Sequence, residues 1–339
     1  MTSTETNDER RARDRDADAD MAADGGRVAL GCMGLGGDWD SDAYAPADVD
    51  AAEAVVRAAL ESGITAFDHA DIYGRGKAEA VFGEVLARTP GLRERITLQS
   101  KCGIRLADGD RPGLYDLRGP SIVRRVEESL TRLRTDALDV LLLHRPDPLA
   151  DPAEIAAALE SLHRQGLVRR FGVSNMNAAQ IARIQDALDG LGSGLRLVAN
   201  QLEMSLRRRD WLEDGVLVNT PASAGVGFPA GTVEHCLRRG IALQAWGPLA
   251  QGRFTGRQET PEEQATAALV AGLAAAKGTT PETIVLWWLR RHPARIVPVI
   301  GTTSPDRIRA CRDAAVAEPS LDHEEWYRLW ITARGAALP

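Results

Sequence analysis

Residues 67–74 read Phe-Asp-His-Ala-Asp-Ile-Tyr-Gly (FDHADIYG) and directly follow the run Gly63-Ile64-Thr65-Ala66. The segment begins like a buried strand, yet it ends in two acids, a histidine and a tyrosine. Such an ending either runs out into solvent or delivers titratable side chains to a site, and the rest of the sequence has to decide. Ile64–Asp68 is one of eight short apolar or β-branched runs, the others being Arg27–Gly31, Ile96–Lys101, Leu138–His144, Arg169–Ser174, Leu195–Gln201, Ile241–Trp246 and Arg295–Gly301. Helix-like segments separate most of them: Asp50–Glu61, Lys77–Arg88, Pro120–Leu133, Pro152–Arg164, Ala178–Leu188, Thr232–Arg238, then Pro261–Ala276 and Pro281–Arg291. Several open with a capping residue followed by proline at the first helical position, as in Asp151-Pro152 and Thr280-Pro281. Strand followed by helix, with a count of eight, predicts an α/β chain closed into a (β/α)8 TIM barrel. An open doubly wound sheet would rest on the glycines between Gly31 and Gly37, but these lack GxGxxG spacing and run into Asp38-Trp39-Asp40, which does not open a helix.

The barrel is expected over residues 26–339. Residues 1–25 form a tail with eight acids, four arginines and little that is apolar beyond alanine. Such a composition cannot offset its ordering entropy, and the tail is expected to be disordered. It carries −4 of the net charge of −7, so the folded part keeps no basic stripe or acidic block that would point to nucleic acid or a membrane surface. No apolar stretch has the length of a signal or spanning segment, and a cytoplasmic protein is expected. Cys32, Cys102, Cys236 and Cys311 are scattered without a CxxC pair, which favours reduced thiols over a disulfide framework or a zinc site.

In a barrel of this kind the C-terminal strand ends converge on one face and carry the chemistry. Here they supply Asp68 and, just beyond it, Tyr73; then Lys101, His144, Ser174-Asn175, Gln201 and Trp246. Proton donation to a carbonyl oxygen is a chemistry these groups can share. A free phenol is a poor acid at neutral pH, an adjacent Lys101 is expected to lower its pKa, and Asp68 would be the counter-ion of the lysine. A neutral His144 could hold the substrate oxygen. His69 and Asp71 alternate with Asp68 and are expected to face away, Asp71 bonding backbone at the turn.

The chain resembles the aldo-keto reductase superfamily. Its first signature, a glycine and then Asp-x-Ala-x-x-Tyr-Gly, matches Gly63, Asp68, Ala70, Tyr73 and Gly74, and further matches are "QSKCGI", "DVLLLH", "GLVRRFGVSN", "NQLEMSL", "WGPLAQG" and "VIGTTSPDRIRA". The stretches "CMGLGGDWD", "LLLHRPDPL" and "EDGVLVNTP" are similar to the bacterial YdhF-like subgroup. The resemblance implies an NAD(P)H-dependent reductase of small-molecule carbonyls, with Tyr73 as general acid, Lys101 and Asp68 tuning it, and His144 orienting the carbonyl. It implies NADPH as the preferred cofactor, with NADH possible. Ser174, Asn175 and Gln201 match residues that hold the carboxamide, and Asp68 lies beside the same ring. Trp246 stands where many relatives stack a tyrosine. Gly247, Pro248, Leu249, Gln251 and Gly252 would fold over the pyrophosphate. Gly301, Thr302, Thr303 and Arg307 would line the 2′-phosphate end, although Gly301 replaces a lysine of some relatives and Ala310-Cys311 a Glu-Asn pair of many. Met33, Gly34 and Leu35 match backbone contacts near the first strand.

Other chemistries on the same barrel leave residues without a role. A glycosidase would use paired carboxylates such as Asp68 and Glu203, and Lys101 and His144 would then do nothing. A metal-dependent hydrolase would need clustered ligands, and His69-x-Asp71 is too little. The remaining alternative is a nicotinamide-binding regulatory or assembly subunit with slow turnover. Substrate choice should lie in the loops Cys102–Gly119, Arg145–Asp151, Leu202–Gly231 and Ala333–Pro339, with Trp39 and Trp211 forming an apolar wall.

Overall fold

The computed structural model describes residues 27–41 and 43–339, so the tail expected over residues 1–25 lies outside the described residues. Ten strands are present: β1 (Ala29–Gly31), β2 (Ala66–Asp68), β3 (Thr97–Cys102), β4 (Ile104–Arg105), β5 (Leu114–Tyr115), β6 (Leu138–Leu143), β7 (Val168–Ser174), β8 (Leu197–Glu203), β9 (Ala242–Trp246) and β10 (Val297–Ile300). Eight of them close a parallel barrel in the order β1-β10-β9-β8-β7-β6-β3-β2, and β4 and β5 form a separate antiparallel pair. The eight runs read from the sequence are these eight strands.

The helices in chain order are α1 (Pro46–Glu61), α2 (Lys77–Arg88), α3 (Gly119–Leu133), α4 (Pro152–Arg164), α5 (Ala178–Gly190), α6 (Asp210–Val216), α7 (Thr232–Arg239), α8 (Pro261–Lys277), α9 (Pro281–Arg290), α10 (Pro305–Ala310), α11 (Arg312–Val316) and α12 (His323–Arg334). Local chemistry sets several of their starts. The Asp151 side chain accepts from the Ala153 amide at 2.9 Å, with Pro152 at the first position of α4. Asn177 and Gln180 form a reciprocal capping box at α5, and Asp322 and Glu325 another at α12.

Strand parity sorts the core into two parts. Leu98, Leu141, Phe171, Leu243 and Ile300 point outward and join the large cluster beneath the helices, whereas Val140, Leu142 and Ala199 belong to a small cluster inside the barrel. Burial of this kind is worth about 1.5–3 kcal/mol for each large apolar side chain. The helical layer is closed by an aromatic clasp. The Trp288 and Trp326 indoles stack at 5.3 Å, and each donates to the carbonyl of the other, at 3.2 and 2.8 Å. Among the described residues no helix is long and apolar enough to cross a membrane. All four cysteines are free and buried.

Candidate active site

Strand β2 ends at Asp68, which pairs in register with Gln99 of β3. Two residues beyond Gln99 on the same face is Lys101, 1% exposed. The chain then turns after β2, with the Tyr73 amide bonded to the Ala70 carbonyl at 3.0 Å, and Gly74, Arg75 and Gly76 all take positive φ. This turn carries the phenol back over the strand ends. Lys101 Nζ donates to Asp68 Oδ2 at 2.6 Å, to the His69 carbonyl at 3.0 Å and to Tyr73 Oη at 3.1 Å. An ammonium has three hydrogens, and this arrangement uses all of them. The phenolic oxygen therefore accepts from Lys101 and keeps its own hydrogen for a partner in the cavity.

The Tyr73 phenol is held above its ordinary pKa, because burial pushes it up further than Lys101 pulls it down. This corrects the expectation that the lysine would lower it: depth of burial outweighs the neighbouring charge. Burial also works against the Lys101 ammonium, but Asp68 and Tyr73 together hold its pKa above the ordinary value. The group stays charged wherever the protein is folded at ordinary pH. His144 follows β6, its ring 6.1 Å from that of Tyr73 and nearly perpendicular to it. Burial, Lys101 and Arg145 bring its pKa down to about 3, so the imidazole is neutral. Its Nδ1 is buried without a partner.

A cavity of about 750 Å³ opens on these groups, a size suited to a bound small molecule. Asp68, Tyr73, His144, Ser174, Asn175, Gln201 and Trp246 line it, together with the 247–252 loop and Gly301, Thr302, Thr303 and Arg307. Asn175, with φ of +58°, turns its amide to donate to the His144 carbonyl at 3.2 Å and to Ser174 Oγ at 2.8 Å. Its Oδ1 accepts from Trp246 Nε1 at 3.1 Å, which anchors the indole at the cavity wall. In the 247–252 loop Gly247, Ala250, Gln251 and Gly252 all take positive φ, a strained run for two non-glycine residues. Arg307 sits beside it: a Cβ on Gly252 would lie 3.7 Å from Arg307 Nη2. Arg307 stands within α10, a helix of only six residues, so its guanidinium rather than a helix dipole is the charge it brings to the cavity.

Three expected site residues stand elsewhere. Trp211, on α6, is buried edge-on against Trp288 at 5.8 Å and His292 at 5.2 Å, and does not line the cavity. The apolar wall is left to Trp39. Leu35 belongs to the core beneath α1, and Gly34 packs against the Thr303 side chain, while Met33 does line the cavity. As expected, His69 and Asp71 point away from the site. His69 packs on Phe82 at 4.6 Å. Asp71 makes no backbone bond through its side chain; its Oδ2 lies 3.7 Å from Arg125 Nε, in the layer between α2 and α3. Arg257, Thr255 and Glu282 also line the cavity and carried no signal in the sequence, whereas Arg145 opens the loop Arg145–Asp151 expected to set substrate choice. Arg145 follows His144 directly and makes no hydrogen bond or ion pair among the described residues, a signal visible only in the structure.

The family model described as "Aldo/keto reductase family" matches residues 27–330. The chain belongs to the aldo/keto reductase family. It is 35% identical over 314 residues to a 6-dehydroglucose reductase of Agrobacterium fabrum, an alignment covering 91% of this chain and 94% of that protein. It is 35% identical over 283 residues to the oxidoreductase YdhF of Escherichia coli, covering 83% and 86% respectively. Among solved structures, an aldo/keto reductase from Klebsiella pneumoniae in complex with NADP and acetate superimposes with a TM-score of 0.66 at 25% identity, covering 89% of each chain. The chain is thus an NAD(P)H-dependent oxidoreductase of the family, its reaction the reduction of small-molecule carbonyl compounds.

Proposed function

We propose that the chain reduces an aldehyde or ketone with NADPH in preference to NADH, and that Tyr73 is the proton donor. What carries this reading is the three-way bonding of Lys101 Nζ to Asp68, the His69 carbonyl and Tyr73 Oη. It leaves one phenolic hydrogen aimed at the cavity and one buried cation beside the oxygen that would become phenolate. The lining residues fit a nicotinamide dinucleotide: Ser174, Asn175 and Gln201 offer amide and hydroxyl groups to a carboxamide, Trp246 an aromatic face, and Arg307 a charge for a 2′-phosphate. When bound, the cofactor supplies a hydride to the carbonyl carbon.

The chain's own residues do the remainder. Neutral His144 has no acceptor at Nδ1, and with its proton on Nε2 it donates to the carbonyl oxygen and holds it against Tyr73. As negative charge develops on that oxygen, Tyr73 gives up its proton, and Lys101 stabilises the phenolate left behind. A general acid so placed contributes roughly 10²–10⁴-fold in rate. Trp39 and the unpaired Arg145 also line the cavity. A guanidinium without a protein partner in the cavity can donate to the hydroxyl oxygens of a polar, hydroxylated aldehyde, the class to which the named substrate of the Agrobacterium relative belongs.

The test follows NADPH oxidation with 4-nitrobenzaldehyde and with a sugar 6-aldehyde. Turnover of both, with kcat/KM higher for the sugar aldehyde, supports the whole reading. Preference for the aromatic aldehyde would remove the Arg145 part, and tight NADPH binding without any turnover would favour a regulatory subunit.

A further inference from the structure

The inside of a (β/α)8 barrel is ordinarily filled by branched apolar side chains. Here a chain of amides crosses it. Gln99 donates through Nε2 to Asp68 Oδ1 at 2.5 Å and to Gln244 Oε1 at 2.9 Å, and Gln244 Nε2 returns a bond to Gln99 Oε1 at 3.0 Å. Gln201 Nε2 donates to the same Gln244 Oε1 at 2.9 Å. Strands β3 and β9 lie opposite one another in the closed strand order, so the Gln99–Gln244 pair spans the barrel. Asp68 and Gln99 are register partners at one end of it, Gln201 and Gln244 at the other. All four side chains are buried.

An isolated amide can sit either way round, but this chain has a direction. Asp68 is ion-paired with Lys101 and can only accept. It therefore faces the NH2 of Gln99, not the carbonyl. The second hydrogen of that NH2 requires the carbonyl of Gln244 opposite, and the Gln244 NH2 then meets the Gln99 carbonyl. Gln201 meets the same Gln244 carbonyl, so it must turn its own NH2 inward. Its Oε1 is left for the cavity.

We infer that Gln99 and Gln244 are positioning residues that relay the polarity of the Asp68 carboxylate across the barrel to Gln201, so that the site presents an acceptor and takes a ring carboxamide through its NH2. This rests on the nicotinamide reading above, and it assigns a role to two side chains that touch neither cofactor nor substrate. It also links the ion pair beside Tyr73 to the group that would hold the nicotinamide.

The test compares dissociation constants of NADP+ and its 3-acetylpyridine analogue, which carries a methyl where the carboxamide carries NH2, by titration calorimetry. Wild type should bind NADP+ about fivefold more tightly, the equivalent of one hydrogen bond. In Gln244→Met the Gln201 amide is free to turn, and the ratio should fall towards one. Gln244→Glu should keep it, because a neutral carboxylic acid retains one acceptor and one donor. A general loss of packing would weaken both dinucleotides alike and leave the ratio unchanged. Equal affinities in the wild type, or an unchanged ratio in folded Gln244→Met, would overturn the inference. If the wild type bound neither dinucleotide, the cofactor reading would fall first and this inference with it.

Discussion

Asp71 stands two residues before Tyr73 and is buried without a hydrogen bond to either carboxylate oxygen. The charged groups acting on it are Glu79 on α2 and Arg125, Glu128 and Arg132 on α3, with Arg125 Nε at 3.7 Å. Glu79 is already engaged, accepting from Ser100 Oγ at 2.6 Å and from Arg132 Nε at 2.8 Å. Burial, reinforced by Glu79 and opposed by Arg125 and Arg132, pushes the Asp71 carboxyl up to about 7 from an ordinary 3.8. Between those values the folded protein holds a proton that the unfolded chain has released, so this group's contribution is full below pH 3.8 and is lost as pH rises through about 7. The slope is about 1.4 kcal/mol per pH unit. His69 and His144, both brought down to about 3 by burial and by Lys101, act in the opposite sense: their contribution is present above pH 6.5 and is lost as pH falls towards 3. Asp71→Asn removes only the first of these slopes. The stability of the variant relative to wild type should therefore grow by about 2–3 kcal/mol between pH 5 and pH 8. Urea unfolding at several pH values reads this directly. Wild-type and variant stability curves that run parallel across that range would refute the argument.

Three further outcomes follow from the geometry. Lys101→Met leaves Asp68 buried without its counter-ion, and urea unfolding should show a loss of about 3–5 kcal/mol, with carbonyl reduction falling at least a hundredfold. Arg307→Ala should raise the KM for NADPH by roughly tenfold or more while leaving that for NADH nearly unchanged, since a charge-assisted bond to phosphate is worth about 1.5–3 kcal/mol; equal effects on both would remove Arg307 from the 2′-phosphate. Gly83→Ala places a Cβ 2.1 Å from the Arg132 carbonyl where α2 meets α3, so thermal unfolding should show a Tm several degrees lower, and an unchanged Tm would contradict that packing.

Much of this was legible in the sequence, for identifiable reasons. Their position at C-terminal strand ends placed Asp68, Lys101, His144 and Trp246 together. The Asp151 cap and Pro152 gave α4 its observed start, and the glycines before Lys77 gave α2 its own. The β4–β5 pair was missed because two-residue strands carry no periodicity, and its closure depends on the Asp116 amide bonding to the Gly103 carbonyl at 2.9 Å. Helix α6 was missed because its seven residues are too few to show a helical apolar period. The burial of Trp211 depends on α9 and α12 packing from far along the chain. Gln99 and Gln244 drew no attention in the sequence, because only barrel closure brings the two amides together. The direction of the Tyr73 shift required a depth of burial that spacing does not give.

On this account the phenolic hydrogen of Tyr73, left free because the phenolic oxygen accepts from Lys101, is the one delivered to the substrate oxygen. Tyr73→Phe keeps the ring and removes that hydrogen. Measured by NADPH oxidation with a reactive aldehyde alongside NADPH binding by fluorescence, the variant should bind the cofactor as the wild type does and reduce the aldehyde roughly 10²–10⁴-fold more slowly. Full activity in a variant that binds NADPH normally would contradict the account.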